Sequence, residues 1–281
     1  MPRSRAFVMG HPVAHSRSPM LHGYWLKKLG IEGSYDLADV PPADVGAFIG
    51  RFRDQGFVGC NVTVPNKTAV IPFLDRIDED ATAMGAVNTI WWEGDDLVGG
   101  NTDALGFVAN IDEMAPGWDQ RGKYAVVMGA GGATRAVIHG LLGRGFKVAL
   151  CNRTLEKAQA LATEFGPDVS AHALGVRDDL LVNCDLLVNA TSLGMVGQPQ
   201  HDIDLDHLKP GAVVYDIVYV PLETALLKQA ADNGHRTVTG LGMLLHQGAV
   251  GFSRWFGITP QVTQELRDLL VADIRANTPG V

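Results

Sequence analysis

The chain has 281 residues, 46% of them hydrophobic and 19% charged, which describes a globular protein long enough for one large domain or two ordinary ones. Its net charge of −8, with no basic stripe, argues against a general nucleic-acid or anionic-membrane binder. No apolar run has the length of a signal sequence or a membrane span, and the three cysteines show no paired spacing. We therefore expect a cytoplasmic protein without disulfides or a metal site.

The first predicted elements are a short strand at 5–10 and a helix that starts near Ser18-Pro19 and ends at Gly30. Serine followed by proline is typical of a helix N-cap with proline at the first helical position. Ser16 and Ser18 then place two hydroxyls in a loop at a helix N-terminus, where a carboxylate can be held. The alternative, which the local pattern alone favours, is that both serines only cap the helix.

Strands are predicted at 35–40 and 57–64, and the second of these carries polar side chains near its carboxyl end. Asn61 and Thr63 alternate with valines, so they point to one side of the strand. Open α/β sheets place their ligands at the carboxyl ends of strands, and Lys67 follows directly. The alternative for Lys67 is an ordinary surface lysine beside a helix start.

Residues 85–103 have the pattern of a β-hairpin with its turn at 93–96. Asn88 and Asp103 lie on its two arms. Asp103 has a second interpretation as the cap of a helix predicted at 104–111, and the local sequence alone supports that reading strongly.

A glycine-rich turn at 129–132 links a buried strand predicted at 124–128 to a helix predicted at 133–142. Strand, glycine turn and helix form the context in which backbone N–H groups bind a pyrophosphate. The third glycine of the usual dinucleotide fingerprint is Thr134 here. A tight strand–helix turn without a ligand therefore remains the alternative.

The next strand, predicted at 147–150, ends without the acidic residue that normally accepts a hydrogen bond from the ribose of NAD. It is followed by Asn152, Arg153, Thr154 and then Lys157. A guanidinium with nearby donors suits a 2′-phosphate, so the sequence predicts NADP over NAD. The alternatives are that Arg153 is a solvated loop residue and that the Thr154 hydroxyl caps the next helix.

Further strands are predicted at 185–190, 213–218 and 235–239, with a helix at 222–232 before the last of them. This alternation of strands and helices is typical of an α/β fold with a mostly parallel sheet and helices on both faces. The tail, 244–255 and 260–274, is predicted to form two helices that pack on an earlier part of the chain.

Eight motifs in order make the whole chain resemble the shikimate dehydrogenase family. They are GHPVAHSRSPMLH at 10–22, NVTVPNK at 61–67, GAVNT at 85–89, GGNTDALG at 99–106, GAGGATRA at 129–136, NRT at 152–154, NATSLGM at 189–195 and GLGMLLHQ at 240–247. The resemblance implies two α/β domains with the active site in a cleft between them. A discontinuous substrate domain would comprise 1–104 and 240–281, and a Rossmann-type NADP-binding domain would comprise 105–239.

The resemblance also assigns residues to roles. It implies that Lys67 and Asp103 form the catalytic pair. The implied substrate ligands are Ser16, Ser18, Thr63, Lys67, Asn88, Asp103, Tyr219 and Gln247. The implied cofactor contacts are Gly129, Ala130, Gly131, Gly132, Ala133, Asn152, Arg153, Thr154, Lys157, Ile217, Gly240 and Met243. Asn66 departs from the family, in which an aromatic residue or histidine often precedes the lysine.

The implied reaction is the NADP-dependent reduction of 3-dehydroshikimate to shikimate in aromatic amino-acid biosynthesis, by a monomer or homodimer. A lysine near the substrate hydroxyl can accept its proton and return it in the reverse direction. Two alternatives are a paralogue that acts on quinate or an aminated analogue, and a non-catalytic NADP-binding sensor. The absence of an acidic residue after the strand at 147–150 argues against NAD, and the presence of Lys67 and Asp103 argues against the sensor.

Overall fold

The computed structural model describes residues 4–52 and 54–278, which divide into two compact units. The first unit comprises the chain up to Thr102 together with Leu245–Leu270. The second comprises Asp103–Leu244 and the residues from Val271 onward. The chain therefore leaves the first unit after its sixth strand and returns to it at Leu245, through most of one C-terminal helix and the first half of the next.

The strands of the described chain are distributed equally between two sheets. Their bounds are β1 Ser4–Gly10, β2 Gly33–Asp39, β3 Phe57–Val62, β4 Arg76–Ile77, β5 Thr89–Glu93, β6 Asp96–Gly100, β7 Tyr124–Met128, β8 Lys147–Asn152, β9 Val169–Ala173, β10 Leu186–Asn189, β11 Val213–Asp216 and β12 Arg236–Val238.

The α-helices vary from one turn to more than four turns. Their bounds are α1 Ser18–Leu29, α2 Val45–Ile49, α3 Asn66–Ala69, α4 Glu79–Met84, α5 Asp103–Met114, α6 Gly132–Gly143, α7 Leu155–Phe165, α8 Arg177–Leu181, α9 Ala225–Asp232, α10 Leu241–Phe256 and α11 Gln264–Ala276. Short 3-10 helices occupy Pro42–Asp44, Ile71–Phe73 and Leu174–Val176. None of the helices in the described part of the chain is both long and apolar enough to cross a membrane.

The sheet of the first unit has the order β2-β1-β3-β5-β6-β4. Strands β2, β1 and β3 run parallel, whereas β5 pairs with β3 and with β6 in antiparallel fashion. The hairpin predicted at 85–103 is thus confirmed as β5 and β6, joined at Gly94 with φ +64°. One face of this sheet packs a cluster that includes Phe7, Cys60 and Val62.

The other face of this sheet carries an aromatic layer over small residues. Tyr35 pairs with Ala6, and Ala6 pairs with Gly59, so the three form one row across β2, β1 and β3. A Cβ on Gly59 would lie 2.1 Å from the Trp255 indole nitrogen, which donates to Ile90 O at 2.8 Å. Small side chains in the row therefore leave room for Tyr35 and for α10 above the sheet.

The sheet of the second unit is wholly parallel, with the order β12-β11-β10-β7-β8-β9. This is the doubly wound order of a Rossmann-type fold, with its switch point between β7 and β10. Alternate residues of β7 enter two different cores: Val127 belongs to one cluster, and Val126 belongs to the other. Burial on both faces explains why the strands are continuous apolar runs and not alternating ones. The predicted α/β class is confirmed.

The helix predicted from Ser18 starts differently from its sequence pattern. Arg17 occupies the N-cap position, and Ser18 is the first helical residue. The Ser18 N–H donates to Ser16 Oγ at 3.3 Å, so Ser16 supplies the bond that a capping side chain normally provides. The assignment of Ser18 as the cap was wrong by one residue, while the end at Gly30, with φ +66°, is confirmed.

Candidate active site

The serine loop lies between β1 and α1 of the first unit. Ser16 is half-buried, and Ser18 is buried. The Ser16 N–H donates to Val13 O at 3.0 Å, which closes a tight turn. Burial raises the pKa of Tyr35, and the neighbouring Ser18 side chain opposes this rise. Capping therefore does not explain the Ser18 hydroxyl, because Ser18 does not occupy the cap position, whereas the Ser16 hydroxyl accepts from the Ser18 N–H.

Thr63 and Lys67 follow β3 at its carboxyl end. The Thr63 N–H donates to Met9 O at 2.8 Å, which continues the pairing with β1 by one residue. Lys67 lies in the one-turn helix α3 and is half-buried. Its carbonyl oxygen accepts from the Val87 N–H at 2.8 Å, so the backbone of Lys67 is tied to the residue before Asn88. These contacts bring Thr63, Lys67 and Asn88 to the same edge of the sheet.

Asn66, which departs from the family pattern, points away from this edge and into the core. It is fully buried, and its Nδ2 donates to Val40 O at 2.8 Å. Its Oδ1 has no hydrogen-bond partner. The substitution therefore changes packing beneath Lys67, and its polar side chain is not presented at the site.

Asn88 and Gln247 meet in a buried amide network. Asn88 Oδ1 accepts from the Thr102 N–H at 2.9 Å and from Thr89 Oγ1 at 2.8 Å. Asn88 Nδ2 donates to Thr102 Oγ1 at 3.1 Å, and Thr102 Oγ1 donates to Gln247 O at 3.2 Å. The network connects the start of β5, the end of β6 and helix α10, so three separate segments supply one polar cluster.

Tyr35 and His22, to which the sequence assigned no role, lie beneath the network together with Asn61. The Tyr35 hydroxyl donates to Asn61 Oδ1 at 2.6 Å, and Asn61 Nδ2 donates to Asn88 O at 3.1 Å. His22 stacks on Tyr35 with ring centroids 4.0 Å apart. Burial lowers the pKa of His22 to about 3, while Asn61 opposes this weakly. Neither ring nitrogen meets the geometry of a hydrogen bond, so His22 is a neutral packing residue near pH 7.

The second unit presents the glycine turn at the carboxyl end of β7, at the switch point of its sheet. Gly129 has φ +107°, a conformation that favours glycine, and a Cβ there would lie 2.7 Å from Thr191 Cγ2. A Cβ on Gly131 or Gly132 would meet nothing within 4 Å. Open space in front of the first N–H groups of α6, with no acidic residue in its first turn, fits a dinucleotide pyrophosphate.

Thr134 stands where the usual fingerprint has its third glycine, and it has a local structural role. Its Oγ1 donates to Gly129 O at 3.0 Å and accepts from the Gly131 N–H at 3.1 Å. A buried hydroxyl therefore cross-links the two ends of the turn. The substitution of glycine by threonine is compatible with a rigid turn whose outer side remains open.

The end of β8 carries the residues predicted to select NADP. Arg153 and Lys157 are exposed, and Asn152 Nδ2 donates to Thr154 O at 2.8 Å. Thr154 does occupy the N-cap position of α7, but its side chain makes no capping hydrogen bond. The alternative that its hydroxyl is occupied by capping is therefore wrong. The group suits a phosphate monoester, because cationic side chains and donors are present and Glu156 is the one acidic residue of the segment.

The remaining predicted residues of the second unit lie near strand ends or helix starts. Asp103 is the first residue of α5 and is half-buried, as is Tyr219. A Cβ on Gly240 would lie 2.1 Å from Ile217 O, so these two segments are in close contact. Met243 packs against the same apolar cluster as Ile217.

Asp216 is a buried acid at the end of β11 that the sequence reasoning overlooked. Its Oδ1 accepts from Asn189 Nδ2 at 2.8 Å and from the Val218 N–H at 3.0 Å, while its Oδ2 accepts from Thr224 Oγ1 at 2.7 Å. Burial raises the pKa of Asp216, and these three donors oppose the change. The carboxyl group thus links the loops that follow β10 and β11 through its hydrogen bonds. The feature of the sequence that indicates this residue is the position of an acidic side chain at the end of an apolar strand.

We expect Asp216→Ala to lower the free energy of unfolding by about 3 kcal/mol, because it leaves three buried donors without their acceptor. Urea denaturation measures the change. Asp232→Ala is the matched control, since Asp232 forms an exposed ion pair with Lys228 and should cost under about 1 kcal/mol. Equal losses of unfolding free energy in the two variants would contradict the role of Asp216 in linking the loops.

The fold and these polar groups define the class of dinucleotide-dependent α/β oxidoreductases. Family models match residues 8–90 as "Shikimate dehydrogenase substrate binding domain", 113–199 as "Shikimate / quinate 5-dehydrogenase" and 240–264 as "Shikimate 5'-dehydrogenase C-terminal domain". The chain belongs to the shikimate dehydrogenase family.

Individual relatives resemble the chain over nearly its whole length. It is 54% identical to the shikimate dehydrogenase (NADP(+)) of Azorhizobium caulinodans over 97% of both chains. Shikimate 5-dehydrogenase of Thermus thermophilus, solved with NADP(H) and shikimate, superposes with a TM-score of 0.84 at 36% identity over 97% of this chain and 99% of that one. Quinate dehydrogenase of Corynebacterium glutamicum, solved with NAD, gives a TM-score of 0.88 at 30% identity over 96% and 99%.

Proposed function

We infer that this chain catalyses the reversible, NADP-dependent reduction of 3-dehydroshikimate to shikimate, a step of aromatic amino-acid biosynthesis. The inference is carried by sequence identity. This chain is 54% identical to the Azorhizobium enzyme over 97% of both chains, and 30% identical to the quinate dehydrogenase. The open glycine turn and the cationic loop after β8 support the choice of cofactor. The three cysteines are buried free thiols, which suits a reducing, cytoplasmic setting.

The residue roles are part of the same proposal. Ser16 and Ser18 bind the substrate carboxylate through their hydroxyls and leave the cationic Lys67 for the other end of the ring. Asn88 and Gln247 hold ring hydroxyls, assisted by Thr63, Asp103 and Tyr219. Buried amide and hydroxyl groups of this kind discriminate strongly against analogues that lack one hydroxyl, because a buried group of the site is then left unpaired.

Proton transfer is assigned to Lys67, with Asp103 as its acidic partner. In reduction, the Lys67 ammonium donates a proton to the carbonyl oxygen as it becomes a hydroxyl; in oxidation, the neutral amine accepts it. NADPH supplies the hydride when bound. The NADP-binding role is assigned to the second unit, through the residues of the glycine turn, the loop after β8, and Ile217, Gly240 and Met243.

An assay with two cofactors and two acids tests the function. We expect purified protein to oxidise NADPH rapidly with 3-dehydroshikimate, and far more slowly with NADH or with 3-dehydroquinate. Absorbance at the nicotinamide band measures each rate. Preference for 3-dehydroquinate would identify the quinate paralogue, and NADPH binding without turnover would identify a sensor. Gel filtration of the same sample distinguishes a monomer from a homodimer.

A further inference from the structure

The hydroxyl of Tyr35 is connected through Asn61 to Asn88, the residue to which the proposed function gives a ring hydroxyl of the substrate. It donates to Asn61 Oδ1 at 2.6 Å. Asn61 Nδ2 then donates to Asn88 O at 3.1 Å and to Thr89 Oγ1 at 3.2 Å. A continuous series of hydrogen bonds thus runs from the Tyr35 hydroxyl to the hydroxyl-binding asparagine.

The series is closed to water. Tyr35 is 7% exposed, Asn61 is 5% exposed and Thr89 is fully buried. Asn61 uses its oxygen for Tyr35 and its nitrogen for the backbone of Asn88 and for Thr89, so its amide has one orientation that satisfies all three partners. A buried polar group that loses such a partner carries the full cost of its desolvation. The geometry of the series is therefore strongly restrained.

Packing holds Tyr35 in place from both sides of its ring. The sheet beneath it offers only the methyl group of Ala6 and the bare backbone of Gly59 in the same row. His22 covers the ring as a parallel stack, and Trp255 lies 5.8 Å away between ring centroids. The phenol therefore reaches across β1 from β2 to β3, which is how its hydroxyl contacts Asn61.

We propose that Tyr35 and Asn61 are positioning residues, which hold Asn88 in the place at which it engages a ring hydroxyl of shikimate. This rests on the proposed function, because that function assigns a ring hydroxyl to Asn88. Neither Tyr35 nor Asn61 is given a contact with the substrate. Their effect is on the binding of the acid and not on the binding of the dinucleotide, since all members of the series belong to the first unit.

The test is Tyr35→Phe, which removes the hydroxyl and keeps the ring. We expect KM for shikimate to rise about tenfold, with kcat and KM for NADP+ each changed less than about twofold. A merely structural tyrosine would lower the melting temperature or the active fraction, and it would leave KM for shikimate unchanged. An unchanged KM in folded protein would overturn the proposal.

A double-mutant cycle separates positioning from general weakening. In an Asn61→Ala background, Tyr35→Phe should raise KM less than about threefold, because the hydrogen bond that the Tyr35 hydroxyl donates to Asn61 is already gone. Independent, multiplicative losses in the two variants would overturn the link between Asn61 and Tyr35. If Tyr35→Phe does not fold, Thr89→Val removes a hydroxyl from the same series with little change of shape. Its KM for shikimate should rise about fivefold, and no rise would count against the proposal.

Tyr24→Phe is the matched control in the same unit. The Tyr24 hydroxyl contacts Thr263 Oγ1 at 3.3 Å and Glu265 Oε2 at 2.9 Å, both outside the series. The Tyr24→Phe variant should have the kcat and the KM for shikimate of the wild-type protein. Wild-type protein that fails to turn over shikimate would refute the proposed function together with this inference. Wild-type turnover with an unaffected Tyr35→Phe variant would refute this inference alone.

Discussion

Replacing Lys67 with alanine is expected to reduce kcat by roughly 10²–10⁴-fold in both directions, while the affinity for shikimate changes little. The proposed function makes the Lys67 amine the group that moves a proton to and from the substrate oxygen. Without the Lys67 amine, water must supply and accept the proton. A water molecule is not held in position for that transfer and is a weaker acid and a weaker base. Steady-state kinetics of reduction and oxidation, with a shikimate titration monitored by fluorescence, measure both quantities.

Lys28→Ala is the matched control for the loss of a lysine from the first unit. Lys28 is an exposed residue whose amine lies 2.7 Å from Glu265 Oε2, and an ion pair of this kind contributes little to stability. The control should retain wild-type kcat. A Lys67→Ala variant with near-native kcat would remove Lys67 from the mechanism and leave its position at the end of β3 without a catalytic explanation.

Arg153→Ala is expected to lower kcat/KM for NADPH by roughly 10–100-fold and to leave the value for NADH nearly unchanged. A guanidinium that forms charge-assisted hydrogen bonds with the 2′-phosphate contributes more than a neutral donor would. NADH lacks that phosphate, so the same substitution removes nothing that it uses. Initial rates with each cofactor at saturating 3-dehydroshikimate give the ratio directly.

Arg236→Ala controls for the loss of one positive charge from the second unit. Arg236 begins β12, at the amino end of a parallel strand, and donates to Pro116 O at 3.0 Å. The ligand edge of such a sheet is formed by the carboxyl ends of its strands, so this arginine should not affect cofactor choice. Equal losses of NADPH and NADH activity in Arg153→Ala would argue that Arg153 supports the loop and does not read the phosphate.

Much of the second unit followed from its sequence, because buried parallel strands and their glycine turn leave strong local patterns. The apolar run before Gly129 is compatible with a short strand or a buried helix segment. The glycines that follow it favour the strand, because they form the turn between a strand and a helix. The strand at 169–173 was not predicted. It is an edge strand with mostly polar and small residues, so periodicity carries little information there.

The positioning residues could not be predicted, because they depend on strand order and not on local pattern. Tyr35 and Asn61 lie on β2 and β3, and β1 separates these strands in the sheet. Nothing near Tyr35 in the sequence indicates that its hydroxyl crosses the intervening strand above Ala6. The start of α1 was misplaced for a related reason: Ser16, two residues upstream, satisfies the Ser18 N–H, so the helix begins one residue earlier than a serine cap would imply.

The return of the chain to the first unit has a consequence for its biosynthesis. The indole of Trp255 and the ring of Phe252, which pack over the face of the sheet that bears Tyr35, are translated only after the whole of Asp103–Leu244. On the ribosome, the six N-terminal strands therefore have only α1 over that face while the nucleotide-binding unit is made. The middle of the polypeptide can acquire its native core before the beginning does, since domains fold as units when their residues have emerged.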